Sequence, residues 1–207
     1  MKVLFYGDSI TDAGRNYNLL HGEEAMGYGY VKYVAEGLYA RGFAEADLIN
    51  RGISGNRIVD LYARIKVDCW NHEPDFISIL IGVNDVWHEV DGKNGVELDR
   101  FEKMYRILIE DTKKALPNVK MMLCEPFVLK GEETTAKWEQ FLEVYKYAEV
   151  VQKLAKEYGL YYLPLQETLT KAAANATAAE YFRDGVHPAE VGAKLIANEW
   201  LNAFDKI

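Results

Sequence analysis

Residues 75–81, Asp-Phe-Ile-Ser-Ile-Leu-Ile, form a near-continuous apolar run that stops at Gly82. A strand with one wet face alternates polar and apolar residues. A run without alternation needs cover on both faces, as a central strand of a parallel sheet has. The rest of the chain must then supply helices for both faces. Residues 2–6 (KVLFY), 47–51 (DLINR), 119–124 (VKMMLC) and 160–163 (LYYL) are the other short strand candidates. Between them lie segments of helical spacing. Residues 28–41 carry Tyr30, Val31, Val34 and Leu38, and residues 56–69 follow the same period. Residues 97–116 place Leu98, Phe101, Tyr105, Leu108 and Thr112 on one stripe, closed by Pro117. Residues 134–158 carry Trp138, Phe141, Leu142, Tyr145 and Ala148 in phase, with Gly159 as the stop, and a last helix from about 188 to 204 carries Val191, Leu195, Ile196 and Leu201. This alternation implies an α/β chain: a five-stranded parallel sheet with helices on both faces. No repeat, low-complexity tract or linker divides the 207 residues, which fit one domain spanning 1–207.

Composition narrows the partners. Hydrophobic residues at 49% and charged residues at 27% are ordinary for a soluble globular chain. The formal net charge of −8, with no basic stripe, lacks the electrostatic footprint of nucleic-acid binding and disfavours anionic membrane surfaces. A neutral or cationic small partner such as a sugar is expected. Cys69 and Cys124 form no Cys-x-x-Cys and have no companion histidine spacing, so two reduced, buried thiols are expected rather than a metal site. The first apolar run ends at Gly7, too early for a signal peptide, and no run reaches membrane-spanning length. A cytoplasmic location is the expectation.

Ligands of open parallel sheets bind beyond the carboxyl ends of the strands. Three polar, glycine-bearing turns should share that edge: Gly7-Asp8-Ser9, Gly52 to Asn56, and Gly82-Val83-Asn84-Asp85. Ser9 alone is an ordinary turn former or helix cap, and its hydroxyl becomes a nucleophile only beside a base. Of the four histidines, His21 and His72 lie in polar segments, and His88 follows Trp87 near the site edge. His187 lies in Asp184-Gly185-Val186-His187-Pro188, where Pro188 suits the first position of the last helix. Asp184 can curl back onto one imidazole nitrogen and leave the other facing a serine, and local chemistry equally allows a plain acidic turn before a helix. The Gly55 N–H and the Asn84 amide are candidate donors to an oxyanion. Each alone also reads as a turn residue. All four residue types at four such turns are far harder to reach by chance.

Gly7-Asp8-Ser9-Ile10, Gly55 within Gly52–Asn56, Gly82-Val83-Asn84-Asp85 and Asp184-x-x-His187 resemble, in order, the four blocks of the SGNH hydrolases, also called the GDSL esterase/lipase family. Ile10 stands where the short family name has leucine, a swap that conserves volume. The resemblance implies a flavodoxin-like, three-layer α/β/α sandwich with Ser9 as nucleophile, His187 as base and Asp184 as its orienter. It also implies an oxyanion hole made by the Ser9 N–H, the Gly55 N–H and the Asn84 side chain, with no metal or organic cofactor. The longer stretches Gly7–Arg15, Ser54-Gly55-Asn56 and Ile81–Trp87 resemble bacterial carbohydrate acetylesterases of the xylan-deacetylating kind. That resemblance implies hydrolysis of O-acetyl groups on sugars such as xylo-oligosaccharides. A lysophospholipase or acyl-thioesterase on the same scaffold is the alternative reading, and a sugar-binding protein without catalysis is the reading from another class.

Trp87, Tyr28 and His88 are the candidate substrate contacts, with Tyr17, Trp138 and Phe182 as further aromatics near the motifs. Residues 125–136 suit a lid, a helix entry or a subunit contact, and an aromatic content of 13% leaves room for a homo-oligomer. Two decoys are set aside. Gly52-x-Ser54-x falls short of the Gly-x-Ser-x-Gly elbow at Asn56, which makes Ser54 a turn hydroxyl, and Gly27-x-Gly29 meets Lys32 where a dinucleotide fingerprint needs glycine.

Overall fold

The computed structural model describes residues 1–174 and 178–207. Its sheet has five parallel strands: β1 (Val3–Gly7), β2 (Leu48–Gly52), β3 (Phe76–Leu80), β4 (Lys120–Cys124) and β5 (Tyr161–Leu163), in the order β2-β1-β3-β4-β5. This is the flavodoxin-like order. The chain direction reverses across the sheet at β1 and β3, which makes the carboxyl end of β1 the switch point where ligands bind. The helices in chain order are α1 (Ser9–Asp12), α2 (Glu23–Met26), α3 (Tyr30–Tyr39), α4 (Ile58–Asp68), α5 (Val83–Gly92), α6 (Leu98–Ala115), α7 (Trp138–Phe141), α8 (Glu143–Tyr158), α9 (Gln166–Ala174), α10 (Ala178–Tyr181) and α11 (Glu190–Phe204). Helix α11 packs on α3, and α4, α6 and α8 pack side by side.

The alternation of β1 shows why both faces need cover. Phe5 meets Trp200 of α11 at 5.4 Å between ring centroids, whereas its neighbour Tyr6 donates its hydroxyl to the Leu61 carbonyl of α4 at 2.6 Å. Every residue of β1 and of β3 is buried. Ser78, the one polar side chain in β3, receives the Trp200 Nε1–H at 2.8 Å, so it is not left unsatisfied in the core.

The strand ends are level. Gly7 of β1 pairs with Gly52 of β2 on one side and Leu80 of β3 on the other. Helix α1 folds back directly over these ends. A side chain at Gly7 would meet the Leu80 carbonyl oxygen at 2.4 Å and the Thr11 hydroxyl at 2.5 Å, and one at Gly52 would meet the Asp12 nitrogen at 2.2 Å. The first glycine of the Gly-Asp-Ser motif is therefore a demand of packing, made by the turn that carries the serine.

Three elements differ from the sequence expectation. The segment 134–158 is broken at Leu142 into α7 and α8, and its buried side runs through Phe141, Val144, Tyr147 and Ala148, leaving Tyr145 38% exposed. Helix α11 begins at Glu190, two residues after Pro188, because the Ala189 N–H is drawn to the Tyr181 carbonyl at 2.7 Å. Asn84 sits in the first turn of α5 rather than in a loop, because Gly82, at φ 136°, turns the chain from strand to helix in one residue.

Candidate active site

Ser9 opens α1. Its predecessor Asp8 is the cap, accepting the Ile10 N–H at 3.0 Å, and α1 closes with Ala13 in the left-handed region. A helix of four residues directly after a strand holds the serine at the sheet edge with little backbone freedom. As the first helical residue, Ser9 has an N–H with no intrahelical acceptor, directed outward from the helix start.

The far terminus supplies the candidate base. The Ser9 hydroxyl donates to His187 Nε2 at 2.7 Å, across 178 residues of chain. His187 Nδ1 donates to Asp184 Oδ2 at 2.6 Å. The other carboxylate oxygen, Asp184 Oδ1, accepts the backbone N–H groups of Val186 and His187 at 2.8 Å each. These contacts fix the tautomer: the proton lies on Nδ1 and the lone pair on Nε2 faces the serine. The Asp184 hydrogen bond pushes His187 above the ordinary histidine value, against the opposing effect of burial. Burial pushes Asp184 up, but its bonds to the His187 ring and to the two loop N–H groups outweigh it, and the carboxyl lies below its usual range. Serine, imidazole and carboxylate form one hydrogen-bonded chain able to take a proton from a hydroxyl and return it to a leaving group.

Residues 125–136 serve this loop. Leu129, Glu132 and Glu133 donate their backbone N–H groups to the carbonyls of Gly185, Arg183 and Asp184 at 2.8, 2.9 and 3.2 Å. Gly131 lies so close to Gly185 that an added side chain would sit 2.1 Å from its nitrogen. Of the readings open for this segment, the structure shows the helix entry: it leads into α7 and, on the way, braces the loop of Asp184 and His187. Phe182, fully buried against Phe127 at 5.4 Å between centroids, belongs to the same support.

The oxyanion candidates lie on the neighbouring loop and on α5. Gly55 adopts φ 80°, and its N–H has no protein acceptor among the described residues. Asn84 donates through Nδ2 to the Asn56 carbonyl at 3.1 Å, which ties α5 to that loop and leaves its second amide hydrogen available. The loop is also anchored by the Ile53 N–H on the Gly7 carbonyl at 3.1 Å. Ser54, set aside as a turn hydroxyl, donates to Asp12 Oδ2 at 2.7 Å.

The candidate substrate contacts separate. Tyr28 is 73% exposed and lines a cavity of about 270 Å³ together with Ser9, Ile10, Ala13, Ser54 and His187. Its ring lies over Gly14, where a side chain would approach it to 2.5 Å. Trp87 stands beside the base, 5.9 Å from the His187 ring between centroids, and its indole N–H is held by Asp91 at 2.7 Å. His88 faces Gly55, with its ring 4.0 Å from where a side chain there would begin, and burial lowers its pKa.

Sequence reasoning missed Asp8 and Asp85. Asp8 is fully buried, one of its carboxylate oxygens has no partner, and burial pushes its pKa up to about 7. Asp85 is buried while accepting the Ile58 N–H at 3.1 Å, and burial pushes it well above the usual carboxylate range. Neither could be foreseen, because both sit where a strand end and a helix start also favour aspartate for capping. Among the described residues, no group of three or more histidines, cysteines and acids could hold a metal ion, and no helix is long and apolar enough to cross a membrane.

Known proteins share both the sequence and this architecture. Residues 5–195 match the GDSL-like Lipase/Acylhydrolase family. An acetylxylan esterase of Geobacillus stearothermophilus is 34% identical over 207 residues, covering 97% of this chain and 92% of that protein. The crystal structure of a putative GDSL-like lipase from Parabacteroides merdae superposes with a TM-score of 0.93 at 36% identity, covering 98% of this chain and 94% of that one. The crystal structure of Axe2, an acetylxylan esterase from Geobacillus stearothermophilus, superposes with a TM-score of 0.87 at 34% identity, covering 98% and 93%. Matched to the family from residue 5 to residue 195, nearly its whole length, the chain belongs to the GDSL-like lipase/acylhydrolase family.

Proposed function

We propose that this protein is a serine esterase that removes short acyl groups, O-acetyl foremost, from the hydroxyls of carbohydrates such as xylo-oligosaccharides. The observation that carries the reading is the unbroken chain from Ser9 Oγ through His187 to Asp184, at 2.7 and 2.6 Å. Ser9 Oγ attacks the acyl carbon while His187 Nε2 takes its proton. The resulting O⁻ is held by the Ser9 N–H, the Gly55 N–H and the Asn84 amide. The C–O bond to the sugar then breaks, and protonated His187 returns the proton to the departing oxygen. Water repeats the sequence against the acyl-serine, releasing the carboxylic acid and restoring the free hydroxyl. Asp184 holds the imidazole and stabilises its positive charge without itself taking the proton.

The substrate reading has two supports. The cavity at Ser9, about 270 Å³, is bounded by the small residues Ala13, Gly14 and Gly29 and suits a compact acyl group. The exposed Tyr28 ring on its rim offers a face to a sugar, with Trp87 beside His187 and His88 facing Gly55. Similarity to acetylxylan esterases over nearly the whole chain points the same way. The cytoplasmic expectation stands as part of the same proposal, and the two buried free thiols are consistent with it.

The test is acetate release from a panel of acetylated xylo-oligosaccharides and other acetylated sugars, alongside p-nitrophenyl acetate and octanoate. Fast release from an acetylated sugar with preference for the acetate is expected. Hydrolysis mainly of the octanoate would turn the reading to a lysophospholipase or thioesterase. Failure of Ser9 to label with a fluorophosphonate would leave a binding protein.

A further inference from the structure

The loop that bears the Gly55 donor is held on both sides of that residue, and one of the holders belongs to the nucleophile's own helix. Asp12 stands three residues after Ser9, at the end of α1, and is 2% exposed. Its Oδ2 receives three donors: the Ser54 N–H at 2.9 Å, the Ser54 hydroxyl at 2.7 Å and the Tyr17 hydroxyl at 2.5 Å. Arg15, itself buried, donates Nε–H to the Gly52 carbonyl at 2.8 Å and lies under the Tyr17 ring at 4.1 Å, so the phenol is steered onto the same oxygen. On the other side of Gly55, Asn56 accepts Arg64 Nε–H through its side chain at 2.7 Å and Asn84 Nδ2–H through its carbonyl at 3.1 Å. Arg64 also reaches the Gly7 carbonyl at 3.1 Å.

Gly55 itself has the least backbone restraint of any residue type, at φ 80°, and its N–H is free of protein acceptors among the described residues. Its direction is therefore set by what fixes Ser54 and Asn56. A catalytic hydrogen-bond donor works only if it is already aimed when charge develops.

From this geometry we infer that Asp12 is a positioning residue for the oxyanion hole: by gathering Ser54 and Tyr17 onto one carboxylate oxygen, it locks the Gly55 N–H to the helix that carries the nucleophile. The distance between the attacking oxygen and the backbone donor is then set within one rigid unit rather than between two loops. The inference rests on the esterase reading, and its predicted signature is specific. Loosening the clamp disorders a donor that acts only in the transition state, so turnover falls while ground-state binding holds. The acid–base pair is on another loop, so the pH profile keeps its acid limb.

The experiment compares wild-type protein with Asp12→Asn, Tyr17→Phe and Ser54→Ala on p-nitrophenyl acetate. A phenylboronic acid, which forms a tetrahedral adduct with an active serine, serves as the transition-state probe. Wild-type turnover is established first, so a failure of the esterase reading shows up before any variant is made. Asp12→Asn is expected to lower kcat by about 10- to 100-fold with KM within about threefold, the scale of a misplaced group near the reacting centre. Boronate affinity should weaken by a matching factor, and the acid limb of the pH profile should not move. Tyr17→Phe, whose ring is half exposed, and Ser54→Ala should each lose several-fold in kcat with the boronate following, and they carry the test if Asp12→Asn does not fold. A folded Asp12→Asn within threefold of wild-type kcat would overturn the inference. So would a kcat loss with unchanged boronate affinity, or wild-type kcat in both Tyr17→Phe and Ser54→Ala.

Discussion

Asp184→Asn separates the chemistry of the carboxylate from its architecture. In the structure, Asp184 does two jobs with two oxygens. Oδ1 accepts the Val186 and His187 N–H groups at 2.8 Å, and Oδ2 accepts Nδ1–H of the base at 2.6 Å. Asparagine keeps a carbonyl oxygen for the first job, so the loop should hold. For the second it offers an NH₂ to a nitrogen that now has to accept, which drives the imidazole proton to Nε2, where it faces Ser9 and cannot take the hydroxyl proton. The same exchange in a serine-protease triad costs about 10⁴ in kcat, equivalent to about 5 kcal/mol of barrier. We expect a loss of that order on p-nitrophenyl acetate, with the melting temperature within a few degrees of wild type.

The pH profile gives a second, independent reading. His187 works only when neutral, and its Asp184 bond is the largest influence raising its pKa. In the wild type, therefore, kcat/KM should fall on the acid side with a midpoint above about 6.5, the ordinary histidine value. In the variant that bond is gone and the lowering effect of burial remains, so the midpoint of the residual activity should move down. Alanine at the same position removes the loop bonds as well and should lower the melting temperature, which asparagine should not. More than a tenth of wild-type activity in well-folded Asp184→Asn, or an acid limb that does not move, would refute the assigned geometry.

Four further outcomes are expected. Ser9→Ala should abolish esterase activity and fluorophosphonate labelling while leaving circular dichroism unchanged. Asn84→Ala should cost about 10²–10³ in kcat with a small change in KM, as steady-state kinetics would show. Trp200→Ala empties a site that is fully buried and leaves Ser78 without its indole donor, so denaturant titration should show about 3–5 kcal/mol of lost stability. Burial makes Asp8 bind its proton more tightly in the folded chain, at about 7, than the 3.8 of a free aspartate. Its contribution to stability is therefore full below about pH 4 and lost as pH rises through about 7. Asp8→Asn should flatten the decline of melting temperature between about pH 4 and pH 7.

The sheet was legible because a strand covered on both faces reads as a near-continuous apolar run, and a helix beside it must repeat near 3.6 residues. Both signals survive in short windows such as 75–81 and 97–116. What the pattern missed has two separate causes. Large aliphatic side chains dominate the sequence pattern, and Val191 is one of those the last helix carries, yet it is 48% exposed. The side that actually packs is Gly192, Ala193, Ile196, Ala197 and Trp200. Small residues let α11 approach closely, and one tryptophan fills the remaining depth against Phe5 and Phe76. The start of α5 was hidden for another reason. Glycine, asparagine and aspartate within four residues, Gly82 to Asp85, signal a turn on local chemistry, and here the turn lasts a single residue before the helix begins.

The candidate site was legible for the opposite reason: its residues are the ones that must end strands and begin helices. Each admitted a plain structural reading and a chemical one, and in the structure a single geometry accommodates both. Gly55 takes a positive φ, and that is how its N–H comes free of the loop's own bonding. Asn84 stands in the first turn of α5, and that position brings its amide to the Asn56 carbonyl with a hydrogen to spare. Asp184 holds an acidic turn closed through one oxygen and the imidazole through the other. Backbone donors are unsatisfied wherever a helix starts, so a sheet edge at which several helices start is already rich in groups that can hold an anion. What chemistry adds is one hydroxyl and one imidazole at 2.7 Å. That separation is held from both sides, since α1 lies directly over the Gly7–Gly52 pair and the His187 loop is bound by three backbone hydrogen bonds to residues 129–133.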